Sequence, residues 1–195
     1  MYQITCGAFE SKEIDINFSE CALRLGIPRE KAKEYIDRYK NELLQVVNPK
    51  YAYIKVPVFT NCEGRVDIGF THFFSQDLCK NLKGCESAYV MAITTGIETD
   101  RFISKKSVYS VAEGFIYDAI SSAFAEAICD KVSDLLSLKN SLGPRFSPGY
   151  GDAPMYIQSS ILDALCAGKL IGISLGENFL MTPRKSITAI QAILK

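Results

Sequence analysis

Leu142-Gly-Pro-Arg145-Phe-Ser-Pro-Gly-Tyr150-Gly-Asp-Ala-Pro-Met155 holds three glycines and three prolines in fourteen residues. Proline fixes φ and removes a backbone donor, and glycine weakens a helix, so this stretch cannot be helical and reads as a loop of fixed path. Arg145, Tyr150 and Asp152 set polar groups beside that path. A fixed backbone carrying few polar groups is how ligand sites are often built. It is equally the description of a rigid connector whose arginine pairs with a surface acid. On the residues alone, both readings stand.

Outward from the loop, the pattern predicts an α+β fold: a mostly antiparallel twisted sheet with flanking helices, in one domain over 1–195. Downstream, a helix is expected from Met155 to about Ala167, ended by Gly168, then short strands at Ile171–Leu175, Leu180–Thr182 and Ser186–Leu194. Upstream lies the longest helical pattern, Val108 to about Leu138, with Val111, Phe115, Ala119, Ala123, Ile128, Val132 and Leu135 on its apolar side. Its middle carries Ser121, Ser122 and Glu126 among alanines, and Glu126 is an acid from which a purely structural helix gains nothing. Before it, Ser87–Thr94 is a near-continuous apolar run of strand length, read as a central strand. Ser75 caps a short helix through Leu82, closed by Gly84. Tyr51–Phe59 and Val66–Phe73 alternate as strands about a turn at Asn61–Gly64. Pro28 starts a helix to about Val47, a turn or short helix spans Ser19 to Gly26, and a first strand is expected near Tyr2–Thr5.

Composition narrows the function. Lys plus Arg and Asp plus Glu number 22 each, so the chain has no excess charge to hold a nucleic acid or an anionic membrane. No stretch is long and apolar enough to span a bilayer and the start is unlike a secretory leader, so a cytoplasmic location is expected. The seven cysteines form no C-x-x-C pair, signal neither zinc nor iron-sulfur, and read as buried hydrophobes. The one histidine, His72, falls on the strand face of Ile68 and Phe70 and reads as half-buried rather than as a base. No residue is singled out as catalytic and none as a metal ligand.

Three stretches carry a resemblance. Arg145-Phe-Ser-Pro-Gly-Tyr150 is similar to the Arg-x-x-Pro-Gly-Tyr signature of the activation (reactivation) domain of cobalamin-dependent methionine synthase. Phe179-Leu-Met-Thr-Pro-Arg-Lys-Ser-Ile-Thr188 resembles that family's Met-x-Pro-x-x-Ser-Val-Ser segment, and Ser122-Ala-Phe-Ala-Glu126 resembles the Ala-Phe-Ala-Glu of its long helix. Order and spacing agree over the C-terminal half, while the N-terminal half matches in general character, through Ala92-Ile-Thr-Thr-Gly96.

The resemblance implies a methionine synthase activation domain-like fold and a site for S-adenosylmethionine. Arg145 would pair in two-pronged fashion with the methionine carboxylate, Pro148 and Gly149 would let the backbone approach the nucleoside, and Tyr150 would add an aromatic wall and a hydroxyl. In the family the ligand-contacting glutamate lies one turn before Ala-Phe-Ala-Glu, at the position of Ser122, so Ser122 and Glu126 are both carried as candidates. The chain lacks the Asp-x-His-x-x-Gly loop that ligates B12, so the implied cobalamin belongs to a partner: a methionine synthase core or another corrinoid protein. The implied role is a free-standing reactivation subunit, contributing in trans to methyltransferase activity by reductive methylation of cob(II)alamin with a flavodoxin-like reductant. Alternatives are a non-catalytic docking module for a corrinoid protein, and a binder of some other carboxylate.

Overall fold

The computed structural model describes residues 2–194. In chain order the elements are β1 (Thr5–Ala8), α1 (Phe18–Leu25), α2 (Arg29–Leu43), β2 (Lys50–Pro57), β3 (Phe59–Thr60), β4 (Arg65–Asp67), β5 (His72–Phe74), α3 (Gln76–Asn81), β6 (Ser87–Thr94), α4 (Ile97–Tyr109), α5 (Val111–Ser137), β7 (Leu142–Phe146), α6 (Ile157–Ala164), α7 (Ala167–Leu170), β8 (Ser174–Leu175), β9 (Met181–Thr182) and β10 (Ser186–Ile193). Five strands form one antiparallel sheet in the order β1-β2-β6-β10-β7. A three-stranded sheet (β3-β4-β5) and a two-stranded one (β8-β9) stand apart from it. The expected α+β architecture, with a mostly antiparallel sheet and flanking helices, is the one observed.

Strand β6 is central because both its faces are apolar. Tyr89, Met91 and Ile93 point into one core with Ile120, Phe124 and Ile128 of α5 and Ile36 and Leu43 of α2. Ala88, Val90 and Ala92 point into a second core with Ile157 and Ile161 of α6, Leu78 of α3 and Val66 and Phe73 of the small sheet. Alternation along a strand sends neighbours to opposite faces, so a sheet covered on both sides needs the unbroken apolar run that Ser87–Thr94 supplies. Small residues along α5 (Ala119, Ala123, Ala127) are all buried, as close packing on the sheet requires.

Several boundaries differ from expectation. The long helical pattern starts at Val111, since Ser110 is extended (φ −153°) and its Oγ accepts from the Glu113 N–H at 3.2 Å. Ser110-Val-Ala-Glu113 is a capping sequence, and it separates α5 from α4, a helix the apolar periodicity had not revealed. Val111 and Phe115, expected on the apolar side, are exposed at this corner. The strand expected over Val66–Phe73 is two short strands, because Gly69 takes φ +83° and its N–H donates to Asp67 Oδ1, turning the chain between them. His72 is therefore exposed and Phe73 is the buried residue, the reverse of the expected alternation. The first strand lies at Thr5–Ala8, after the expected Tyr2–Thr5, and α2 stops at Leu43. The helix expected to run to Ala167 breaks at Cys166, which has φ 47°, so Gly168 lies inside α7, and β8 keeps only the end of the Ile171–Leu175 strand. No helix is long and apolar enough to cross a membrane among the described residues.

Candidate functional site

Arg145 sits on β7, an edge strand opposite Gln191 of β10. Leu142–Phe146, expected as the start of a loop, pairs as a strand at the sheet edge, with the register shifting between Gln191 and Ile193, where Pro144 has no N–H to offer. From there the guanidinium reaches α5. Its Nη1 donates to Asp130 Oδ1 at 2.7 Å and its Nη2 to Glu126 Oε2 at 3.3 Å. The two acids are four residues apart on one helix face, which lets one planar fork meet both. Burial pushes the Glu126 carboxyl above its ordinary range, the nearby Glu20 adds to this, and Arg145 pulls the other way. The Arg145 side chain is 23% exposed and that of Asp130 62%, so the arginine is set into the wall while one of its acids faces water.

The segment after β7 is a tight turn. Gly149 N–H donates to Ala153 C=O at 3.0 Å, and Tyr150 N–H to Ser147 C=O at 3.2 Å. Gly149 has φ +86°, and a Cβ there would meet the Met155 sulfur, so both the backbone and the space demand glycine. Pro148 is buried and Tyr150 is 66% exposed. The far end of the turn is tied down by Asp152, which accepts from Ser75 Oγ at 2.5 Å and from the Gln76 and Asp77 N–H groups at 2.7 and 3.2 Å, at the start of α3. The Ser75 hydrogen bond and these backbone donors hold its carboxyl below the ordinary range. Asp152 thus anchors the turn and does not face the cavity.

Between α5, the turn, α6 and β10 lies a cavity of about 630 Å³ lined by Glu126, Asp130, Ser133, Arg145, Pro148, Tyr150, Gln158, Met181, Thr188 and Gln191, among others. Its size is that of a small-molecule site, roughly 300–1,000 Å³. Its charged end holds one cation and two acids, an arrangement that matches a ligand bearing a carboxylate beside positive groups. Two of its polar side chains, Gln158 and Gln191, are buried and braced. Gln158 Nε2 donates to Phe179 C=O at 2.8 Å and Gln158 Oε1 accepts from Thr188 Oγ1 at 3.3 Å. Gln191 donates to Gly143 C=O at 3.0 Å and accepts from Ser133 Oγ at 3.0 Å.

Of the residues expected from sequence, the fold brings Arg145, Pro148, Tyr150 and Glu126 to this cavity, while Gly149 shapes the turn without lining it. Ser122, one turn before Glu126, does not line it either. Its Oγ donates to Asp118 C=O at 3.0 Å and accepts from Lys185 Nζ at 2.8 Å. Asp130, Gln158 and Gln191 were not anticipated. The available signals were an acid four residues after Glu126 and a glutamine inside the apolar strand Ser186–Ile193.

No protein-family model matches the chain, and no curated protein matches it. Among solved structures it is similar to a crystal structure of the MetH reactivation domain bound to AdoHcy, with a TM-score of 0.75 and 13% sequence identity over 98% of this chain and 78% of that one. At that identity the likeness is one of fold. The chain therefore has the fold of the MetH reactivation domain, as its sequence resemblance implied.

Proposed function

We propose that this chain binds S-adenosylmethionine in the Arg145 cavity and presents its methyl group to cobalamin carried by a partner, a methionine synthase core or another corrinoid protein. The observation that carries the reading is the Arg145, Glu126 and Asp130 cluster in the wall of a cavity of ligand size. The ligand's carboxylate takes the place of Asp130 on the guanidinium. Asp130 is exposed, and an ion pair of that kind is worth about 0–1 kcal/mol, so the exchange costs little while the bidentate pair gained is stronger. The freed acid and Glu126 then face the ammonium and sulfonium, and Pro148 and Tyr150 flank the nucleoside. Gly149 fixes the turn that puts them there, and Ser122 acts only through Lys185 and Asp118, behind the wall.

Cobalamin on the partner, once reduced by a flavodoxin-like donor, supplies the nucleophile that takes the methyl group. A sulfonium is already an activated leaving group, so this chain's residues need only orient it and exclude water, with no acid or base. The same cluster also favours a second reading, since Arg145 is already satisfied within the chain: a docking module for a corrinoid protein that binds no methyl donor.

Calorimetric titration of S-adenosylmethionine and AdoHcy decides between them. Saturable binding is expected, weakened roughly 10- to 100-fold in Arg145→Ala, the loss of about 1.5–3 kcal/mol typical of a hydrogen bond to a charged group. Circular dichroism checks that the variant is folded. Absence of binding to wild type at millimolar ligand removes the methyl-donor role and leaves the docking module.

A further inference from the structure

Val108, Val111 and Phe115 recur at intervals of three and four, the spacing of an apolar stripe on a helix. The break at Ser110 turns that stripe into a corner between α4 and α5, and the chain leaves it uncovered. Val108 is 84% exposed, Tyr109 beside it 78%, Val111 81% and Phe115 56%. The corner is held firmly. Gly114 is buried, and a Cβ there would lie 2.8 Å from the Ser107 Cα, so the end of α4 and the first turn of α5 are in direct contact. Ser110 fixes the same turn as the cap of α5. A patch ordered in this way by its own backbone loses little freedom when it is covered.

At about 200 Å² for an aromatic side chain and about 100 Å² for a valine, the four residues leave about 400 Å² of apolar surface in water. Patches of roughly 300–600 Å² are the largest that ordinary monomers carry, and they are often functional. The surrounding charges indicate what covers this one. Arg101 pairs with Glu98 and Lys106 with Glu42. Lys105 and Glu113 have no side-chain partner among the described residues, which leaves one free cation on the α4 arm and one free acid on the α5 arm. An anionic lipid surface calls for an excess of cations, and the corner has none. A surface with opposite charges at its two ends and an apolar centre is complementary to itself, since a two-fold axis through the centre brings the lysine of each copy to the acid of the other. Two such patches bury about 800 Å² of apolar surface, and the flanking Ser104, Lys105, Ala112 and Glu113 take the total past the roughly 1,000 Å² of a specific but weak association.

We infer that the Ser110 corner is a self-association surface on which a second copy of this chain packs about a two-fold axis. Val108, Tyr109, Val111 and Phe115 form its apolar centre, and Lys105 and Glu113 pair across it. Phe115 precedes Glu126 on α5 by about 16 Å at the helical rise of about 1.5 Å per residue, so the pair forms away from the cavity and does not depend on what the cavity binds.

Sedimentation equilibrium of the full chain tests this. A reversible monomer–dimer equilibrium is expected, with Kd on the order of 10–100 μM, and the double substitution Val111→Ser with Phe115→Ser is expected to leave only monomer, folded by circular dichroism. Lys105→Glu and Glu113→Lys, each of which sets like charges together twice in a symmetric pair, should weaken the dimer at least about 3-fold, and combining them should restore it to within about 2-fold of wild type. A wild-type chain still monomeric at about 1 mM, a dimer that survives the serine substitutions, or a charge swap that restores nothing overturns the inference. So does co-sedimentation of a monomeric chain with phosphatidylserine vesicles, which would give the corner to a lipid surface instead.

Discussion

Gly149→Ala isolates what the turn demands of its backbone. The residue holds φ +86°, and a Cβ would be driven into the sulfur of Met155, with the Met155 Cγ 3.4 Å away. An L-residue in left-handed backbone costs about 1–2 kcal/mol. Met155 is 38% exposed and can swing aside into a poorer rotamer for about 0.5–1.5 kcal/mol. The sum is about 1.5–3.5 kcal/mol, which for a chain of this length lowers Tm by roughly 3–14 °C. Urea and thermal denaturation measure it, repeated in a Met155→Ala background, where the steric part disappears and about 1–2 kcal/mol of backbone strain remains. If the turn instead relaxes to accommodate the methyl, Pro148 and Tyr150 shift and ligand affinity falls as stability is spared. A variant within about 0.5 kcal/mol of wild type with unchanged AdoHcy affinity refutes the reasoning.

Asp152 holds its lowered pKa through Ser75 and the start of α3, so its contribution is fully present above the unfolded carboxylate range, about 3.9, and is lost as pH falls through the lower folded value. The difference in Tm between wild type and Asp152→Asn should be constant near neutrality and shrink in acid; a difference that widens in acid contradicts the assignment. Burial pushes the Cys129 thiol up to about 12 and that of Cys21 to about 11, whereas Cys6, Cys62 and Cys166 are exposed. At pH 8 a thiol reagent is expected to modify the three exposed cysteines and to reach Cys21 and Cys129 only after denaturation; native-state labelling of Cys129 at the rate of the exposed thiols would show that α5 is not sealed against the sheet.

Much of the fold was legible because its signals are local. The apolar run Ser87–Thr94 announces a strand buried on both faces, and Ser75 is read as a cap from its place before Gln76. The Ser110 cap is equally local, but the helical pattern from Val108 reads straight through it, so α5 is begun too early and α4 is missed. Gly69 shows the opposite failure: alternation carried the strand through a residue whose positive φ reverses the chain, and His72 changed sides with it.

The site divides along the same line. That Arg145, Pro148, Gly149 and Tyr150 belong to one shaped segment follows from adjacent prolines and glycines, which restrict a backbone wherever they stand. That Arg145 meets Glu126 and Asp130, 19 and 15 residues away, follows only from the packing of β7 beside α5. Nor could spacing foretell that Gln191 braces Ser133 across 58 residues, or that β10 outruns β7 and Thr188 comes to line a cavity. The sequence alone determined which groups the turn carries, because backbone restriction is a property of neighbours; tertiary structure decided which charges those groups meet, because that depends on where each element ends against the next.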